Sequence, residues 1–501
     1  MSISLWPRLL NALLVVATLA ALPAAAAPRN VVLIVTDDQS QTLGCYGDAA
    51  AQTPNLDALA ADGALYRHAF ATTASCSASR SVILTGLHNH ANGQYGHTHH
   101  FHKFQSYDNI VSLPRYLEAA GYRTAQVGKY HVAPEQVYHF DQYLRANPRN
   151  VYAMAEAARG LIEADSDRPF FLYLATSDPH RGGGFARELP EHPDRFGNPA
   201  PGRQYEGIDE VRYDPADVPV PGFLPDTPAC RAELAQYYQS QARIDQGVGH
   251  LFDILKDAGR WEDTLIIYIS DHGMAFPGAK TTVYDGGLRS PLIVRDPYTQ
   301  TRGTQPDAMI SWIDLTPTIL DFAGVLDGDG AVREDILESI TIEHVNGQRN
   351  NDLVPGAMHG RSFMPTLDQT ETEGWDEIGA SHTFHEIQMY YPMRVVQGRQ
   401  YKLIWNIAHP QPFPFASDLW AAPTWQHQLA LGDDAPYGAW TVAGYVQRPE
   451  FELFDLTQDP FEGHNLADAP DYAEVLAEMQ EKLHAMQQRT QDPWIMKWEY
   501  E

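Results

Sequence analysis

Four short apolar runs, each ending at once in reactive side chains, constrain this chain more than any other feature. Asn30–Val35 leads into Thr36-Asp37-Asp38, Arg123–Val127 into Gly128-Lys129-Tyr130-His131, Pro169–Leu174 into Ser177-Asp178-Pro179-His180, and Thr264–Ile269 into Ser270-Asp271-His272-Gly273. Apolar runs without alternation, separated by helical segments, read as buried parallel strands. Helices are expected from Ser112-Leu113-Pro114 to Ala120 with Gly121 closing, and from Pro228 through Ala258 with Gly259 closing. Ligands of open α/β sheets sit outside the carboxyl ends of the strands. Singly, each polar cluster is compatible with turn and cap residues; their common placement gathers them at one sheet edge.

A fifth segment belongs with them. Cys76-Ser77-Ala78-Ser79-Arg80 follows the small residues Thr72–Ser75 and precedes Ser81–Thr85 and Gly86, so the thiol falls at a helix start. A group there feels the positive end of the helix dipole, which favours an anion or an oxygen that becomes one.

The remaining sequence bounds the setting. Arg8, the apolar run Leu9–Ala21 and Ala24–Ala27 read as a signal peptide over residues 1–27, which implies export to the periplasm or beyond. No later run is long and apolar enough to span a bilayer, so no membrane association is expected after cleavage. Cys45, Cys76 and Cys230 are too few for a disulfide scaffold, leaving stability to a large core. Against 35 basic residues stand 64 acidic ones, a net charge of −29, which argues against nucleic acid or anionic membrane as partner. An anionic substrate then requires a locally positive pocket, which salt isolates from surface charge beyond about 8 Å.

The Cys76–Arg80 segment resembles the signature of the type I sulfatases, in which the cysteine is oxidised to formylglycine. Similarity covers nearly the whole mature chain. It is greatest to the sulfamidase branch, the heparan N-sulfatases, through Thr85–His88, Asn92–Gly96, Gly128–Glu135, Asp178–Arg181, Asp245–Gly249, Asp314–Asp321, Tyr391–Arg394 and Asp492–Trp494. The resemblance implies an α/β, alkaline-phosphatase-like sandwich: a large, mixed, mostly parallel sheet flanked by helices over residues 28–370. A smaller C-terminal α+β domain with a short antiparallel sheet follows over residues 371–501. Strand-like pieces at Arg394–Val396, Tyr401–Trp405 and Glu452–Leu456, with a helix from Ala473 to Gln488, agree with it.

The resemblance also implies the site. Asp37, Asp38, Asp271 and His272, with the formylglycine oxygen at position 76, would hold Ca²⁺, with Mg²⁺ or another divalent ion as alternatives; a nitrogen ligand is unusual for Ca²⁺. Arg80 would help activate the nucleophile, Lys129, His180 and Lys280 would contact sulfate and assist the leaving group, and His131 would act as the base. Substrate contacts are expected from His97, His100, His385 and Glu386, with His99, His102 and His382 nearby. The implied reaction is hydrolysis of a sulfuric ester or sulfamate on a sulfated sugar, N-sulfoglucosamine of heparin-type saccharides foremost. An O-sulfatase, a phosphate or phosphonate monoester hydrolase, and a glycan-binding protein without catalysis remain as alternatives. A formylglycine-generating enzyme is an implied partner; homodimerisation is left open. Ala78 stands where the commonest signature has proline, a variant of bacterial sulfatases, so the maturation system that reads it is open too.

Overall fold

The computed structural model describes residues 29–343 and 345–500. The segment read as a signal peptide lies outside the described residues. Among them no helix is long and apolar enough to cross a membrane.

The main sheet is built from β1 (Asn30–Thr36), β2 (Ala64–Tyr66), β3 (Arg123–Gly128), β4 (Gln142–Leu144), β5 (Phe170–Ala175), β6 (Thr264–Ser270) and β7 (Leu292–Arg295). Their order across the sheet is β2-β7-β6-β1-β5-β3-β4. The four strands read from the sequence form its parallel centre: β1 pairs with β5 and β6, and β5 with β3. Only β7 is reversed: it pairs antiparallel with β6 and with the edge strand β2, which therefore runs with the centre.

Strand β1 shows why its sequence does not alternate. Val31, Leu33 and Val35 pack into a core with Leu113, Trp312, Leu315 and Ile319 on one face, while Val32 and Ile34 pack with Met154, Ala158, Ile244 and Val248 on the other. Both faces are covered, so both must be apolar. Each such side chain contributes about 1.5–3 kcal/mol by leaving water. The covering helices are α1 (Pro54–Ala61), α2 (Cys76–Ile83), α3 (Leu113–Ala119), α4 (Val151–Ile162), α5 (Pro228–Asp257) and α6 (Leu315–Phe322). Gly121 and Gly259, just beyond α3 and α5, have φ of 89° and 67°, as expected of closing glycines.

A second, antiparallel sheet follows, from β8 (Glu377–His382), β9 (Met393–Gly398), β10 (Tyr401–Asn406) and β11 (Phe451–Asp455). Val396, Leu403, Trp405 and Leu453 on one face pack under Met479, Leu483 and Met486 of helix α7 (Ala473–Arg489). Val395, Ile404 and Phe454 on the other share a core with Phe70, Met274, Phe276 and Val283 of the large part. Strand β8 was not anticipated: Glu377-Ile378-Gly379-Ala380-Ser381-His382 carries one β-branched residue and a glycine, so its β signal comes from its neighbour and not from its own propensity.

Candidate active site

The strand ends meet as the sequence implies. Asp271 N donates to Thr36 O at 3.0 Å, Asp37 N to Asp178 O at 3.0 Å, and Lys129 N to Ala175 O at 2.7 Å, so backbone bonds tie the four polar clusters into one rim. Two backbone details serve that rim. Gly128 has φ of 92°, and a Cβ there would collide with the Ala175 carbonyl. Asp38 holds φ of 64°, a left-handed conformation that Asp tolerates better than most residues, and its N–H donates to Asp271 Oδ1 at 3.0 Å.

Cys76 opens α2 and is fully buried. Ser75 is the residue before the helix, but its hydroxyl does not cap it; Oγ lies 3.0 Å from His385 Nδ1 instead. Cys76 Sγ is 3.4 Å from His272 Nε2 and 3.8 Å from Asp38 Oδ1, and His272 Nε2 is 3.2 Å from Asp38 Oδ1. Asp38, Cys76, Asp271 and His272 bring one donor atom each within 4.8 Å of one another. His272 Nδ1 lies 3.0 Å from Gly273 O, a pure acceptor, so Nδ1 carries a proton and Nε2 is the ring atom that faces this cluster. Asp37, also expected as a ligand, falls outside this foursome. Its carboxylate accepts from Lys129 Nζ at 2.5 and 2.7 Å and from Arg80 Nη2 at 3.1 Å.

Electrostatics agree with a missing positive charge. Burial acts to raise Asp37, but Lys129, His180, Arg80 and Lys280 together hold it well below the usual carboxylate range. Burial likewise opposes ionisation of Asp38, and Lys280, His180 and His272 outweigh it. Asp271 is the exception: burial pushes it up in spite of Arg80 and His272. Two hard carboxylates, Asp38 and Asp271, and one imidazole nitrogen around position 76 fit a divalent cation. Burial also pushes the Cys76 thiol well up, against the pull of Lys129 and Lys280, so an unmodified thiol here stays protonated and a poor nucleophile.

Arg80 lies on the same helix as Cys76. It is wholly buried, with Nε 3.1 Å from Asp271 Oδ2 and Nη1 3.4 Å from Tyr173 OH, so it clamps Asp37 and Asp271 together. The other expected groups line a cavity of about 540 Å³: Lys129, His131, His180 and Lys280, with His97, His99, His385 and Glu386. Lys280 Nζ reaches Asp38 Oδ2 at 2.9 Å, His180 Nε2 at 2.9 Å and Asp418 Oδ2 at 3.0 Å. His180 Nδ1 sits 2.6 Å from Arg181 O and so bears the proton. His97 Nε2 contacts His385 Nε2 at 2.9 Å, and His99 Nδ1 contacts His131 Nε2 at 2.7 Å. Burial is the first cause that holds His97, His131 and His385 well below their ordinary range, so these imidazoles are neutral. His100 is exposed, at φ of 51°, and does not line the cavity; its ring lies 4.9 Å from that of His99. His102 accepts from Ile387 N at 3.1 Å and fixes the loop that carries Glu386.

Sequence reasoning missed Asp418, Arg149 and Arg181, which also line the cavity. Asp418 stands in no motif. Arg149 Nη1 reaches Asp178 at 2.7 Å, where Arg243 Nη2 also lies at 2.6 Å, and Arg181 is bound to Glu233; together these pairs lock the loop of His180. Lys129, Arg149, Arg181 and Lys280 face Asp37, Glu386 and Asp418 there, so the pocket gathers cations within an acidic protein.

Fold and site together define a hydrolase of the alkaline-phosphatase-like class. A family model described as Sulfatase matches residues 29–325, and the chain belongs to the sulfatase family. It is 39% identical to human N-sulphoglucosamine sulphohydrolase over 94% of this chain and 92% of the relative. A solved structure of a protein in complex with its substrate D-glucosamine-2-N,6-O-disulfate superposes with a TM-score of 0.64 at 20% identity, covering 93% of this chain and 99% of the other. The phosphonate monoester hydrolase of Agrobacterium radiobacter gives 0.62 at 21% identity, over 92% and 96%. At those identities the structural likenesses establish the fold alone.

Proposed function

We propose that this protein is an exported sulfatase that removes sulfate from N-sulfated glucosamine at the end of a heparin-type saccharide. The carrying observation is Cys76 Sγ, 3.4 Å from His272 and 3.8 Å from Asp38, beside a cavity lined by Lys129, His131, His180 and Lys280. The relative at 39% identity supports the N-sulfated sugar. The division near residue 370 fits the start of the second sheet at Glu377, and export rests on the N-terminal sequence alone.

In this reading Cys76 is carried as formylglycine, made by a maturation enzyme, and its hydrated aldehyde supplies one hydroxyl that attacks sulfur and a second whose deprotonation expels sulfate. Asp37, Asp38, Asp271 and His272 would hold Ca²⁺ or another divalent ion, which would supply a positive charge and Lewis acidity beside position 76. Arg80 keeps Asp37 and Asp271 at fixed separation. Lys129 and Lys280 donate to sulfate oxygens. The proton shared by Lys280 and His180, 2.9 Å apart, is delivered to the leaving nitrogen. His131, held neutral by burial and bound to His99 through Nε2, would accept the proton of the second hydroxyl.

The test is peptide mass spectrometry around Cys76 of native protein, paired with sulfate release from N-sulfoglucosamine, 6-O-sulfated glucosamine and a phosphonate monoester. Formylglycine at 76 with release from the N-sulfated sugar alone is expected. Preference for the 6-O-sulfated sugar overturns the substrate, preference for the phosphonate overturns the reaction, and an unconverted cysteine overturns the nucleophile.

A further inference from the structure

Three imidazoles meet on one wall of the cavity, and the reaction as read above uses only one of them. His97 and His99 come from the histidine-rich segment after Gly96, and His131 from the turn that follows β3. Their ring centres are 4.7, 4.8 and 5.1 Å apart, and one ring nitrogen of each lies within 4.8 Å of the other two. Zn–N bonds of about 2.0–2.1 Å in a tetrahedral site put imidazole centres roughly 5 Å apart, so the triangle already has the dimensions of a three-histidine ligand set. His102 and His385 flank it, with ring centres 5.9 and 3.9 Å from that of His97.

Hydrogen bonding within the triangle is incomplete. His99 Nδ1 and His131 Nε2 share one proton across 2.7 Å, while the Nδ1 atoms of His97 and His131 are buried without a hydrogen-bond partner among the described residues. His97 itself is 6% exposed. Buried polar atoms left over in this way call for a further partner, and an ion is one. Burial first, then neighbouring positive groups, holds His97 and His131 well below their ordinary range and His99 down to about 4, so all three rings are neutral and open to a metal at neutral pH. The nearby ammonium groups are already compensated: Lys129 is paired with Asp37, and Lys280 with Asp38 and Asp418. An all-nitrogen set suits Zn²⁺ and its late first-row neighbours and not Ca²⁺. It shares no residue with the cluster of Asp38, Cys76, Asp271 and His272.

We propose that His97, His99 and His131 form a second metal site, separate from the cluster around position 76, that takes Zn²⁺ and arrests the active site. The ion replaces the proton between His99 and His131, which moves to the far nitrogen of the ring that carried it, so no net proton is lost. A metal-bound neutral imidazole has one nitrogen on the ion and a proton on the other. His131 then keeps no lone pair. The site rests on the geometry of the three rings; its inhibitory effect rests on the reading above, in which His131 accepts a proton.

The experiment titrates Zn²⁺ into the native protein by calorimetry with excess Ca²⁺ present, in wild type, His99→Ala and His100→Ala, and follows sulfate release from N-sulfoglucosamine in parallel. Wild type should bind one equivalent. His99 is exposed, so its truncation spares the core. It should weaken binding at least about 100-fold, because even the outer partners of a metal ligand are worth about 10–100-fold. His100, its exposed neighbour outside the triangle, should be dispensable for Zn²⁺. Urea midpoints check that each variant is folded, and His99→Gln replaces the alanine variant if it is not. Saturating Zn²⁺ should lower sulfate release at least about 100-fold, the contribution of a general base, and a nitrogen-rich chelator that spares Ca²⁺ should restore it. No binding in wild type, binding that survives His99→Ala, equal loss in His100→Ala, or bound Zn²⁺ without inhibition overturns the proposal. If no sulfate is released even without Zn²⁺, the proposed reaction fails and calorimetry decides the site: binding lost in His99→Ala and kept in His100→Ala sustains it, and any other pattern overturns it.

Discussion

Two buried groups of charges lie on either side of the second sheet's contact with the large part, and they differ in what they leave open. At the strand ends, Asp37, Lys129 and Lys280 line a cavity with Asp38, Asp271 and Arg80 buried beside them, and burial pushes one carboxylate, Asp271, up in spite of Arg80 and His272. At the seam, Arg394 holds Asp492 through two bonds of 2.5 and 2.9 Å beneath Trp494, and Lys402 holds Asp285 at 3.1 Å and Glu462 at 2.7 Å, with none of these residues lining the cavity. Burial and ion pairing are common to both. A pushed-up carboxylate is common to both as well, since burial lifts Glu462 to about 7 in spite of Lys402; a ligand is implied only where a cavity meets the charges, which is why perturbed groups alone do not define a site.

The contrast breaks first at Cys76. Cys76→Ser should lower kcat by about 10³ or more, as loss of a nucleophile does, while urea unfolding moves by under about 1 kcal/mol; near-wild-type turnover would remove Cys76 from the chemistry. The seam should respond in reverse. Asp492→Asn leaves the buried Arg394 unpaired, an expected cost of about 3–5 kcal/mol in urea unfolding, with kcat per folded molecule within about twofold. A large kcat loss without destabilisation would make the seam pair part of the reaction.

Acid should act on the seam next. His90, between Ser381 and Thr490, is held down to about 4, by burial above all, and His359 to about 3. A depressed imidazole contributes stability that is complete above its ordinary pKa of 6.5 and declines as pH falls toward 4 and 3, because the unfolded chain binds protons the folded one refuses. The slope is at most about 1.4 kcal/mol per group per pH unit. Urea midpoints at pH 7.5 and 5 should differ accordingly, and His90→Gln should flatten the difference; an unaltered slope would refute the assignment to His90. The smallest effect is expected at Asp418→Asn, which removes one of two carboxylates on Lys280 and should lower kcat/KM about tenfold through loss of positioning. A change in unfolding free energy with no change in kcat/KM would move Asp418 from the site to the fold.

Much of the parallel centre was legible because residues adjacent in sequence carry it. A run such as Val31-Val32-Leu33-Ile34-Val35 must be buried on both faces, and Asp37-Asp38 follows it without an intervening loop. Strand β8 was illegible because pairing with β9 and packing on Met486 impose it on a segment of low propensity. A run of histidines does not reveal which rings turn inward, and of this one His100 is exposed and lies outside the cavity.

By itself the sequence determined the sheet centre, the position of Cys76 at a helix start and the residue types at the strand ends, since each depends on local pattern and short spacing. Only the tertiary structure decided that Arg80 and Lys129 take up Asp37, that Asp418 joins Lys280 across 138 positions, and that His131 meets His97 and His99 in one cluster. Coulomb and packing interactions depend on distance in space, and chain separation does not encode it.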